Sequence, residues 1–69
     1  MELFEHNSYA VAKEYAWQMS LNFPSIGFLL YRDNKHETFF VSTDGLESLG
    51  YQYLGVYDSG IYSGGGKHE

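Results

Sequence analysis

The stretch Ser25–Thr43, SIGFLLYRDNKHETFFVST, sets two apolar segments on either side of the polar run Arg32–Glu37. Side chains of a strand alternate between faces, so each segment reads as a strand with two distinct sides. With Asn34-Lys35 as the loop, Arg32 falls opposite Glu37, Leu30 opposite Phe39 and Phe28 opposite Val41; a loop from Asp33 to His36 gives the same register. Ile26, Phe28, Leu30, Phe39 and Val41 then share one face, and Leu29, Tyr31 and Phe40 the other. Register and alternation agree, which predicts an antiparallel hairpin. The favoured Asn-Gly pair is missing, so the loop type stays open. Arg32 and Glu37 are expected to pair at the solvent end of the hairpin, a contact worth under ~1 kcal/mol.

Downstream, Tyr51–Asp58 (YQYLGVYD) alternates again and predicts a third strand. Tyr51, Tyr53, Gly55 and Tyr57 fall on one side, Gln52, Leu54, Val56 and Asp58 on the other. Leu54 and Val56 are expected in the core, and the tyrosines beside Leu29, Tyr31 and Phe40. Gly55 either leaves a gap that neighbouring rings cover or marks a bulge. Asp58-Ser59-Gly60 turns the chain, Ile61-Tyr62 is a candidate edge strand, and residues 64–69 read as a flexible glycine-rich tail. Between the strands, Thr43–Gly50 (TDGLESLG) reads as a short helical turn, capped by Thr43 or Asp44 and ended by Gly50.

Upstream, Asn7–Pro24 holds the one substantial helix, with Asn7 or Ser8 as its cap and Pro24 disfavouring helix at Phe23. Ala12, Tyr15, Ala16, Met19 and Phe23 gather on one broad side, and Glu14, Gln18 and Asn22 form a polar strip. Trp17, with Ala10 and Leu21, makes a second, narrower apolar stripe. Either Leu3 and Phe4 fold over it or it is left for a partner. The opening MELFEH is a short edge strand or a flexible start. Together these elements predict an α+β fold in one domain over residues 1–63: a main helix packed on a three- to four-stranded antiparallel sheet.

Sixty-nine residues without cysteine allow neither a disulfide framework nor a thiolate metal site. At 19% aromatic residues, rings carry much of the burial that a small core needs. Ile26–Tyr31, the longest apolar run, is far short of a membrane span, and the amino terminus lacks the pattern of a secretory signal. The net charge of −5, from nine acids and four bases, opposes direct binding to a phosphate backbone.

Catalytic and metal signals are weak. His6, His36 and His68 each neighbour a glutamate, but no two histidines have helical ligand spacing. No serine sits in a Gly-x-Ser-x-Gly elbow, and Gly64–Gly66 is followed by Lys67 but by no helix to cradle a phosphate. The reading is therefore a protein that is not an enzyme and takes no metal or cofactor. Tyrosines on a sheet can stack single-stranded bases, yet the basic surroundings of such sheets are missing.

Acidity and tyrosine together suggest a binding surface. Glu14, Asp44, Glu47 and Asp58, joined by Glu2 and Glu5, are placed to dot the surface as phosphates dot DNA. Trp17, Tyr31, Tyr51, Tyr53 and Tyr57 would add aromatic contact area. In size, acidity, lack of cysteine and α+β pattern, the whole chain resembles small phage-encoded inhibitors of the anti-CRISPR type. That resemblance implies a non-enzymatic inhibitor in the bacterial cytoplasm, an acidic DNA mimic that occupies the basic nucleic-acid or PAM-reading site of a CRISPR effector. The expected partner is thus a protein, with no direct contact to nucleic acid or membrane, and the chain a monomer or weak homodimer. The alternative is a small bacterial or phage interaction domain that dimerises or assembles through the tyrosine-rich sheet face.

Overall fold

A computed structural model describes residues 2–45 and 49–64. Strands β1 (Glu2–His6), β2 (Phe28–Asp33), β3 (Thr38–Ser42), β4 (Gln52–Asp58) and β5 (Ile61–Gly64) accompany one helix, α1 (Tyr9–Asn22). The sheet order is β1-β3-β2-β4-β5, and every adjacent pair is antiparallel. The α+β class is as expected, with five strands instead of three or four because both candidate edge segments pair. Gly64, expected in the tail, lies opposite Gly55 in the ladder, and residues 65–69 lie outside the described residues.

Local chemistry starts and stops the helix. Ser8 is the cap: its Oγ accepts from the Val11 N–H at 3.3 Å, while its own N–H donates to His6 Nδ1 at 2.9 Å. The Phe23 N–H closes the last turn on the Met19 carbonyl at 2.8 Å, just before Pro24. Ala12, Ala16 and Ser20 are buried, so a ridge of small side chains spaced four apart rests on the sheet. Phe4 stacks on Tyr15, with 4.3 Å between ring centroids, and covers that side of the helix rather than the Trp17 stripe. Phe23, expected on the core side, is exposed.

The β2–β3 hairpin forms two residues out of the expected register. Leu30 faces Val41, Arg32 faces Phe39 and Asp33 faces Thr38. Asp33 is the cause. Its carboxylate accepts from the Lys35 N–H at 2.9 Å and the His36 N–H at 3.4 Å, and meets His36 Nδ1 at 2.7 Å. The Glu37 N–H donates to the Asp33 carbonyl at 2.7 Å, and Glu37 takes a left-handed φ of 57°. Residues 34–37 are therefore all loop, and the expected Arg32–Glu37 pair does not form. The Arg32 guanidinium instead lies 5.6 Å from the centre of the Phe39 ring. A shift of two preserves side-chain parity. Phe28, Leu30, Phe39 and Val41 accordingly face the helix, as read from the sequence.

Strand β4 departs further. Phe28 pairs with Tyr57, Leu29 with Val56 and Leu30 with Gly55, but Tyr31 pairs with Tyr53. Leu54 is the extra residue of a bulge, and beyond it the faces exchange. Leu54 enters the core as expected. Val56 does not; it sits on the far face beside Leu29. Tyr57, expected on that far face, is 8% exposed within the core. Gly55 permits this. A Cβ there would stand 2.6 Å from Tyr62 Cε1 and 2.7 Å from the Ser63 carbonyl oxygen. Tyr62 crosses the glycine and donates its hydroxyl to the Leu54 carbonyl at 2.8 Å.

Two crossovers cover the sheet. Helix α1 carries the chain from β1 over β3 to β2. Residues 43–51, of which 46–48 lie outside the described residues, connect β3 to β4. Both connections advance two strands in the same direction along the sheet, from strands that run oppositely. Tyr51, at the end of the second crossover, packs on Phe40 at 4.8 Å, on the face away from the helix. Ser42 starts that crossover, donating to the Asp44 carbonyl and accepting from the Asp44 N–H. The helical turn expected there centres on residues 46–48, outside the described residues.

Two outcomes are expected. In urea melts, Tyr57→Ala should cost roughly 3–5 kcal/mol and Gly55→Ala roughly 1–3, while Val56→Ala should cost about 1. A larger loss at Val56 than at Tyr57 would mean that β4 runs without the bulge. The contact with His36 is the main reason that the Asp33 carboxyl titrates below its ordinary value of 3.8, joined by the Lys35 and His36 amides. Its contribution is present above the unfolded-state pKa and fades as pH falls through the lower folded-state one. The stability gap between the parent and Asp33→Asn should therefore be level near neutrality and close in acid; a gap independent of pH would remove the carboxylate from this account.

Candidate functional site

The structure separates the residues expected to form a contact surface. Tyr31 is 1% exposed, and Tyr57 is enclosed in the core, so neither ring offers area to a partner. Tyr51 and Tyr53 are half-buried, packed on Phe40 and Tyr31 with centroids 4.8 and 5.6 Å apart. Much of the anticipated tyrosine face is thus internal packing. Trp17 remains 39% exposed on α1.

Of the acids, Glu14 is exposed at mid-helix, beside an open groove lined by Tyr9, Lys13, Trp17 and Tyr57. Asp44 and Asp58 are both exposed and lie at one end of the sheet, because β3 and β4 run parallel with β2 between them. Glu47 lies outside the described residues. Helix α1 finishes at this same end, and its last turn carries no basic residue. Partial negative charge on the last carbonyls adds to the two carboxylates. Of the described bases, Arg32 and Lys35 lie at or beside the β2–β3 turn, and Lys13 shares a groove with Trp17, one helical turn before it.

Around this acidic end the fold gathers exposed apolar side chains that the sequence reading only partly anticipated. Trp17 and Leu21 flank Gly60 in the β4–β5 turn: a Cβ on Gly60 would stand 2.6 Å from Leu21 Cδ2 and 3.6 Å from Trp17 Nε1. The Gly60 N–H donates to Ser20 Oγ at 2.8 Å, and Ser20 Oγ donates to the Trp17 carbonyl. Ser59 Oγ donates to the Pro24 carbonyl at 2.9 Å. These bonds draw Ile61 and the Phe23–Ile26 segment to the turn. Trp17, Leu21, Phe23, Ile26 and Ile61 are all exposed there.

A second cluster lies at the helix start. The Lys13 ammonium sits 5.3 Å from the centre of the Tyr9 ring and 5.9 Å from that of Tyr62. Burial, then a hydrogen bond with Tyr62, pushes the Tyr9 hydroxyl up to about 12. Burial also raises Tyr57. These phenols stay neutral at physiological pH and supply no general base there.

The two described histidines serve local structure. His6 bonds the Ser8 amide and His36 bonds Asp33; His68 lies outside the described residues. Among the described residues, no three His, Asp or Glu side chains converge as metal ligands would. No family model, curated protein or solved structure matches the chain.

Proposed function

We propose that the protein acts by binding another protein, not by catalysis, through the end of the domain where α1 stops and β4 turns into β5. One observation carries this reading: Trp17, Leu21, Phe23, Ile26 and Ile61 stand exposed near the turn that joins β4 to β5, at the end of the sheet where Asp58 and Asp44 lie, and Lys13, one helical turn before Trp17, is the one described base beside them. Apolar area with an aromatic anchor favours burial against a partner, and the acidic rim selects a basic one. In its specific form, the proposal is an inhibitor of anti-CRISPR type whose acidic end occupies the nucleic-acid site of a CRISPR effector in the bacterial cytoplasm. Among the described residues, no helix is long and apolar enough to cross a membrane.

A second copy of the chain is the alternative partner, and the sheet edges favour a particular site for it. β1 carries exposed Glu5 and a bulge at Leu3, two features that discourage strand addition. β5 exposes Ile61, Tyr62, Ser63 and Gly64 without a charge or a proline.

Pull-down with purified CRISPR effectors, followed by titration of any that bind, tests the main reading. Affinity should fall about tenfold or more for Asp58→Lys and for Trp17→Ala, and should drop as salt shortens the Debye length below ~10 Å. Light scattering should give a monomer at micromolar concentration. Retained binding by both variants would exclude this surface, and a stable dimer would favour the β5 edge.

A further inference from the structure

Arg32 is the only arginine in a chain with nine acids, and among the described residues no carboxylate pairs with it. Its Nε is buried without a hydrogen-bond partner. A charged donor taken from water and left unmatched is costly, and such groups call for a physical reason. In the ladder, Arg32 stands between Phe39 on β3 and Gln52 on β4, on the helix side of the sheet. Phe39 supports the guanidinium without neutralising it.

Beside Arg32 opens a groove of about 230 Å³, lined by Tyr9, Arg32, Phe39, Gln52 and Leu54. Tyr9 is the first residue of α1, and the first turn contains no acid. The Tyr9 ring reaches the groove, with its centroid 5.2 Å from that of Phe39. The Arg32 charge, with its buried and unpartnered Nε, favours an anion. Phe39, Leu54 and Tyr9 supply apolar walls, and Gln52 supplies an amide.

We infer that this groove binds a small monocarboxylate with a ring-sized apolar body, its carboxylate against Arg32 and its body among Phe39, Leu54 and Tyr9. A guanidinium presents planar paired donors that match a carboxylate. One side-chain charge suits a monoanion better than a phosphate dianion. The volume lies below the roughly 300–1,000 Å³ of pockets for larger ligands, which sets the size of the body. The groove lies toward the β2–β3 turn, at the opposite end from Asp58, so it is independent of the partner surface.

Phenylacetate is a suitable probe, titrated into the full chain and followed by amide NMR. Saturable shifts are expected at Tyr9, Phe39, Gln52 and Leu54, with millimolar affinity on the order expected for so few atoms. Neutral phenylacetamide and inorganic phosphate should each bind at least about tenfold more weakly. Arg32→Gln should lose binding while keeping the dispersed spectrum of a folded chain; Arg32→Lys, which retains the charge but not the fork, should show an intermediate loss and serves if the glutamine variant does not fold. The inference is overturned if phenylacetate gives no saturable shifts at these residues, if the amide or phosphate binds equally well, or if both arginine variants bind like the parent.

Discussion

Tyr62 lies so close across Gly55 that a side chain at that position would collide with ring and backbone together. Much of the arrangement depends on this approach. It holds the bulge that places Leu54 and Tyr57 on the same side of β4 although they stand three residues apart. Without the extra residue, the strand would offer the helix Leu54 and Val56, and the larger tyrosine ring would turn to the far face. With it, Tyr57 fills the core beneath α1 and packs at a tilt on Tyr62, with 5.1 Å between ring centroids, and Tyr62 in turn returns its hydroxyl to the bulge. Ring, glycine and carbonyl thus hold one another in place.

The same bulge aims the β4–β5 turn at the helix. Ser20, a buried polar side chain on a ridge of alanines, receives the Gly60 amide there. A buried hydroxyl needs partners, and Ser20 has two. That bond ties the last hairpin to the first crossover and assembles the exposed apolar end from segments distant in sequence. The opposite face is closed by a different device: Tyr51, just before β4, packs onto Phe40, which is only 5% exposed.

Features carried by local sequence were legible in advance. Ser8 before an alanine-rich run and Pro24 after it bound the helix; the alternation in β2 and β3 assigned their faces correctly even with the loop misjudged. What escaped depends on contacts that spacing does not reveal. The four-residue loop follows from where the Asp33 carboxylate finds amide donors. Gly55 was read as a gap or a bulge, and the choice between them lies with Tyr62, on another strand. Pairing of β1 with β3 joins residues more than thirty positions apart, so nothing near MELFEH announces it. The candidate surface divides in the same way. Trp17 and Leu21 stand out on a helical wheel, whereas Phe23, Ile26 and Ile61 join them through hydrogen bonds spanning 35 and 40 residues. Tyr31 was misjudged as available because alternation assigns a side and not what covers it, and Tyr57 because the bulge at Leu54 turns it to the other side.

The unequal edges of the sheet limit how copies of the chain can combine. A sheet receptive at both borders can add strands without end, as fibres do. Here β1 is blunted by charge and by a bulge, and among the described residues β5 alone is bare. Such a molecule has a valence of one along the sheet. Two copies meeting β5 to β5 about a twofold axis would use up each other's free border, leaving only blunted strands outside. Strand addition, if it occurs, terminates at a pair, so a bare edge can persist in a concentrated acidic protein without seeding a polymer.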